Sequence, residues 1–200
     1  TPVAQCYNAN GNTFNLSGSV TNGAASWTVI SNPQNLNYTI ADDEDASTTA
    51  TVTGVGSVTF RLTSTSQTTP NCGYANDDVT VTINPNPDAN AGTDPADQCY
   101  NANGNIFSLD GRLSVYGTAL WTIESNPSDL TVQFLNNSST SLTPSIKISG
   151  ASTGGKVVLR LTITSNTTPS CGTDYDLVEV EVLAQPAGPV ATMEPVNCND

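Results

Sequence analysis

The side chains that could do chemistry in these 200 residues are five cysteines and eighteen carboxylates, against five lysines and arginines and no histidine. The lack of histidine removes imidazole-based triads, the usual zinc sites and the commonest acid–base catalyst together. Paired carboxylates could still hydrolyse a glycosidic bond, but no acid pair recurs at equivalent pocket-forming positions, so neither an enzyme nor a catalytic residue is expected. Carboxylates could also ligate calcium. The densest run, Asp42-Asp43-Glu44-Asp45, matches an acid-free stretch, Asn136 to Thr140, in the second half of the chain and reads as a solvated loop. Asp88, Asp94 and Asp97 are the remaining candidates for a structural calcium ion, the alternative being roles in turns and solubility. No other cofactor is expected.

Four cysteines occupy two recurring contexts. Cys6 and Cys99 sit in an identical octapeptide, Gln5 to Asn12 and Gln98 to Asn105, while Cys72 and Cys171 follow Thr-Thr-Pro-x and precede Gly. If the chain reverses at every strand, the start of the first strand and the turn before the seventh lie at one end of a sandwich. Pairing Cys6 with Cys72 and Cys99 with Cys171 is then expected, each copy carrying a complete pair. Closing such a loop of about 67 residues would stabilise by roughly 4 kcal/mol in the chain-entropy model, and it implies an oxidising compartment. The alternative is two free buried thiols per copy. Cys198, by register the next first-strand cysteine, is expected to be unpaired.

The elements that must position these residues form a tandem repeat. The octapeptides lie 93 residues apart, Trp27 and Trp121 94 apart, and Arg61 and Arg160 99 apart, so the copies differ by insertions that belong in loops. Within each copy the period is two: Val58, Phe60 and Leu62 alternate with Thr59, Arg61 and Thr63, and Val157, Leu159, Leu161 and Ile163 repeat the pattern. About seven strands fit each copy, the last near 78–84 and 177–183, and the fifth of the second copy near 141–149. A single Trp falls on the third strand of each. The expected class is all-β: two tandem immunoglobulin-like (PKD-like) sandwiches of about seven strands and the start of a third repeat. Residues 1–86 form the first repeat, 87–95 a Pro-rich linker, 96–185 the second repeat, and 186–200 a linker and the opening of another. Trp27, Phe60, Leu62, Trp121, Leu159 and Leu161 are the expected core.

Apolar residues make up 36% of the chain, and the net charge is -13. Such a surface repels phosphate backbones and anionic headgroups, so no nucleic acid partner is expected, and no apolar run approaches the roughly 20 residues of a membrane span. The phrase Pro87 to Asp94 leading into a Cys, the Phe-x-Leu-x-Gly strands at Phe14 to Gly18 and Phe107 to Gly111, the strand-three Trp and the Cys-Gly before a Val-x-Val strand resemble the PKD-like or Ig-like repeats of giant Bacteroidota cell-surface adhesins. The resemblance implies type IX export to the extracellular face and a part in adhesion, gliding or filament building. The expected function is a disulfide-stapled spacer in a secreted or cell-surface adhesin, stalk or filament, with neighbouring repeats and copies of itself as partners. The alternative is a carbohydrate- or protein-binding module appended to a secreted enzyme.

Overall fold

Alternating apolar residues form strands wherever one face can be buried. The computed structural model, which describes residues 4–113, 117–127, 130–150, 153–189 and 191–192, contains sixteen such strands among them. The first copy carries β1 (Gln5–Cys6), β2 (Asn12–Ser17), β3 (Gly23–Ser31), β4 (Asn37–Ile40), β5 (Ser47–Thr53), β6 (Gly56–Ser66) and β7 (Tyr74–Asn84). They form one sheet in the order β1-β7-β6-β3 and a second in the order β2-β5-β4. Their inner faces meet in one core, where Phe14, Leu16, Ala50 and Val52 from the smaller sheet pack with Trp27, Val58, Phe60, Leu62, Val81 and Ile83 from the larger. That is a β-sandwich of immunoglobulin-like type.

Short strands β8 (Ala89–Asn90) and β11 (Arg112–Leu113) belong to connections. The second copy repeats the plan with β9 (Gln98–Cys99), β10 (Asn105–Ser108), β12 (Gly117–Ser125), β13 (Thr131–Phe134), β14 (Ser145–Ser149), β15 (Gly155–Ser165) and β16 (Thr173–Leu183). Its sheets run β12-β15-β16-β9 and β10-β14-β13. Phe107, Trp121, Ile146, Ile148, Leu159, Leu161 and Val180 are among its buried side chains. One 3₁₀ turn, Leu135–Asn137, is the helical element among the described residues.

Three boundaries differ from the sequence expectation, among them the start of β16 at Thr173 rather than near 177. Strand β7 begins at Tyr74, four residues before the alternation starts, because Tyr74 to Asp78 are exposed and are held by main-chain pairing to β6 (Thr65↔Tyr74, Arg61↔Asp78) rather than by a buried face. Strand β14 begins at Ser145 instead of near 141. The preceding residues form a turn whose carbonyls serve others: Leu109 N donates to Pro144 O, Gly111 N to Leu142 O, and Trp121 Nε1 to Ser141 O.

The chain divides into two compact units that do not follow the copies. One comprises Thr1–Asn90, Leu113–Ala119 and Thr162–Tyr175, the other Ala91–Arg112, Leu120–Leu161 and Asp176–Asp200. Cys198, with most of the expected opening of a third repeat, lies outside the described residues.

On the outer face of the larger sheet of the first copy, Arg61 grips Asp78 with two bonds, Nε to Oδ1 at 2.7 Å and Nη2 to Oδ2 at 2.9 Å. These bonds are the main cause holding the Asp78 carboxyl below its ordinary pKa, opposed by desolvation and aided by charge attraction. The ionised form is the favoured one in the fold, so the contribution is complete above the ordinary carboxylate pKa and is lost as pH falls through the lowered value. In Arg61→Gln the Asp78 titration, followed by carboxyl NMR, should move up into the ordinary range. The fully buried Phe60 sets the scale of the core: Phe60→Ala should lower stability by about 3–5 kcal/mol in urea unfolding.

Candidate functional site: the cysteine loops and the linker carboxylates

The repeated octapeptide exists to hold a cysteine. In each copy its last residue, Asn12 or Asn105, is a buried amide only 5% exposed. Asn12 Oδ1 accepts from Asn8 N at 3.1 Å, and its Nδ2 donates to Cys6 O at 2.8 Å and Gln5 Oε1 at 2.9 Å. Gln5 Nε2 in turn donates to Thr13 O. The second copy repeats every bond: Asn101 N to Asn105 Oδ1 at 3.1 Å, Asn105 Nδ2 to Cys99 O at 2.9 Å and to Gln98 Oε1 at 3.0 Å, and Gln98 Nε2 to Ile106 O. A buried amide must satisfy all its groups. That requirement accounts for the recurrence of the first Gln and the last Asn of the octapeptide.

The second cysteine context is equally fixed. Ser66 N donates to Gly73 O and Ser165 N to Gly172 O, both at 2.9 Å, closing a turn on each six-to-seven connection. Thr68 Oγ1 donates to Pro70 O and Thr167 Oγ1 to Pro169 O, and the same hydroxyls lie 3.3 Å from Cys72 Sγ and 3.5 Å from Cys171 Sγ. Both Thr-Pro bonds are cis. A Cβ on Gly73 or Gly172 would touch nothing, so it is their φ of 94° and 87° that selects glycine.

These contexts do not meet within a copy. Strand β1 is only two residues long and runs parallel to the end of β7, with Gln5 opposite Ile83 and Cys6 opposite Asn84. Cys72 precedes the other end of that strand, before Tyr74. The eleven residues of β7 separate the two by about 30 Å, whereas a disulfide needs Cα atoms within about 7 Å. Strand β9 pairs likewise with the end of β16, Cys99 opposite Leu183, while Cys171 precedes its start at Thr173. The expected pairs Cys6–Cys72 and Cys99–Cys171 are therefore both corrected. Cys6 is bonded to Cys171, with Cα atoms 5.4 Å apart and a sequence separation of 165, while Cys72 and Cys99 are free and exposed. The bond lies inside the first compact unit, where Asn84 Nδ2 also donates to Thr168 O at 3.1 Å.

The carboxylates serve the backbone. Asp174 Oδ2 accepts from Ala89 N at 2.9 Å, Asp176 Oδ2 from Ala91 N at 2.8 Å, and Asp94 Oδ1 from Glu179 N at 2.8 Å, so linker and last strand clasp each other through three charge-assisted bonds. Asp88 and Asp97 are exposed. Among the described residues no group of three His, Cys, Asp or Glu side chains could hold a metal ion. In the acidic run, Asp42 Oδ1 and Asp45 Oδ1 cap the N–H groups of Glu44 and Ser47, while the Asp43 and Asp45 carbonyls accept from Trp27 N and Nε1. Trp27 and Trp121 are buried, as are Phe60, Leu62, Leu159 and Leu161. Sequence reasoning missed Asn12, Asn105, Gln5 and Gln98 as positioning residues, although the identity of the octapeptide was a signal.

No protein-family model matches the sequence, and neither does any curated protein. Among solved structures, the titin I-band fragment I67–I69 is similar at 14% identity and a TM-score of 0.44, over 91% of this chain and 63% of that one. Extracellular domains 3–5 of Drosophila OTK match at 12% identity and 0.37, over 92% and 59%. Domains 4 and 5 of the S-layer protein SbsC match at 15% and 0.35, over 86% and 80%. This chain thus spans under two thirds of the titin and OTK chains.

Non-reducing peptide mapping should recover the Cys6 peptide joined to that of Cys171, and recovery of Cys6 with Cys72 would refute the geometry. Asn12→Ala, which leaves Cys6 O and Asn8 N without their partner, should cost about 1–3 kcal/mol in chemical unfolding.

Proposed function

We propose that this chain is a structural segment of an extracellular repeat array, a disulfide-stapled spacer within a cell-surface adhesin, stalk or filament of the Bacteroidota kind that its sequence resembles. The observation that carries this reading is the Cys6–Cys171 bond, which joins the first-strand cysteine of one copy to the turn cysteine of the next. A bond of that pattern serves a series of repeats more than a single domain, and disulfides persist in oxidising, extracellular surroundings. The remaining polar chemistry supports the same reading, since the buried amides and the carboxylates of Asp94, Asp174 and Asp176 are spent on backbone groups. Export by the type IX route and association with like copies belong to this proposal.

A binding module on a secreted enzyme is the second reading, favoured by Tyr74, which is 73% exposed beside the Cys72 turn and lines a shallow concavity with Thr21, Asn22 and Ser64. Two measurements separate them. Antibodies raised against this chain should label intact producing cells along extended surface structures, and calorimetric titration with cell-wall and algal polysaccharides should give no heat of binding. Saturable glycan binding that Tyr74→Ser abolishes would favour the second reading.

A further inference from the structure

Of the two cysteine contexts, each copy presents one that is bonded and one that is not. The bonded pair is the first-strand Cys6 and the turn Cys171, and the free thiols are the turn Cys72 and the first-strand Cys99. Neither free thiol is an isolated cysteine. Cys99 O is held by Asn105 Nδ2 at 2.9 Å as Cys6 O is held by Asn12 Nδ2 at 2.8 Å, and the two loops share the same Gln, Asn and Gly hydrogen bonds. The Cys72 turn matches the Cys171 turn in its Ser-to-Gly closure and its threonine hydroxyl beside sulfur. Each free thiol is therefore mounted like one half of a bond that exists elsewhere in the same molecule. Both are exposed, whereas Cys6 and Cys171 are half-buried. Within its own copy neither can find a mate, because the parallel pairings β1–β7 and β9–β16 put first-strand and turn cysteines at opposite ends of a long strand.

We propose that Cys72 and Cys99 are a complementary pair of covalent docking sites, Cys99 of one copy of this chain forming a disulfide with Cys72 of a second copy. The chains would then join head to tail by the same first-strand-to-turn bond that Cys6 makes with Cys171. Chemically, the two thiols lose two protons and two electrons to a disulfide oxidant such as oxidised glutathione; one sulfur–sulfur bond forms, the oxidant's sulfur–sulfur bond breaks, and two glutathione thiols leave. The Asp77 carboxylate supports the fit. It is the register counterpart of Asp176, which receives the linker amide of Ala91, and it stands four residues beyond the Cys72–Gly73 turn at an exposed position. The linker after Leu183 differs from Pro87 to Asp94, so the sulfur bond, rather than the carboxylate clasp, is the element that must recur. This inference goes beyond the surface-array reading and does not need it, since it stands on the internal equivalence of the two contexts.

The test uses two full-length chains, both carrying Cys198→Ser to remove that thiol: one with Cys72→Ser, leaving Cys99, and one with Cys99→Ser, leaving Cys72. Near-ultraviolet circular dichroism and the mapped Cys6–Cys171 bond confirm that each is folded. Mixed in equal amounts in a glutathione redox buffer, they should give the Cys99–Cys72 heterodimer at least about tenfold over either homodimer, a preference beyond the roughly twofold of random pairing. Near-random yields would overturn the proposal, as would mixed disulfides with glutathione that fail to progress to a protein–protein bond. A third overturning result is an internal Cys72–Cys99 bond in monomers of the Cys198→Ser chain. Loss of cell-surface labelling would bear on the array reading alone and leave these yields unchanged.

Discussion

The pairing of a two-residue first strand with the last two residues of the seventh governs most of what is distinctive here. Because β1 runs parallel to β7 and meets only its end, the cysteine it carries is fixed opposite Asn84. The other cysteine of the copy precedes the far end of the same strand. No adjustment of a loop can bring them together across about 30 Å of extended backbone. The sandwich therefore cannot be stapled to itself, and the bond must leave the copy. The buried amide of Asn12 follows from the same constraint, since a two-residue strand needs side-chain hydrogen bonds to hold a place that two ladder rungs alone would not secure.

Much of this was legible in the sequence. Residues Val58 to Thr63 and Val157 to Thr164 announced central strands through strict alternation, and the single Trp of each copy marked the third strand of a sandwich. The start of β7 was not legible, because Tyr74 to Asp78 bury nothing and are held through main-chain groups that carry no side-chain signature. Disulfide connectivity failed for a different reason. Reversal of direction at each strand gave the correct parallel sense for the first and seventh strands but said nothing of register, and register decided which end the cysteine occupied. The octapeptide contained the missing clue, since identical Gln, Asn and Gly positions around Cys6 and Cys99 imply a built loop and not only common descent.

Acidic residues look different once their bonds are known. The acidic run and the linker aspartates suggested a solvated loop or a calcium site, yet Asp94 and Asp174 each take one backbone N–H, Asp176 takes two, and Asp42 and Asp45 cap a loop whose carbonyls hold Trp27. A carboxylate accepting an amide proton forms a stronger bond than a neutral acceptor. In a chain with only five cations, backbone amides are the main positive partners available for such groups.

The bridge between Cys6 and Cys171 also sets how the chain answers tension. A pull that enters ahead of Cys6 and leaves beyond Cys171 crosses through two sulfur atoms, and the intervening segment, a separation of 165 residues, carries none of it. Stretched out, that segment would amount to roughly 550 Å of contour. With the sulfur bond intact this length is locked away, so either sandwich can unfold without lengthening the chain between those two points. Reduction turns the stretch between those two points from an inextensible tether into one with a large reserve of slack.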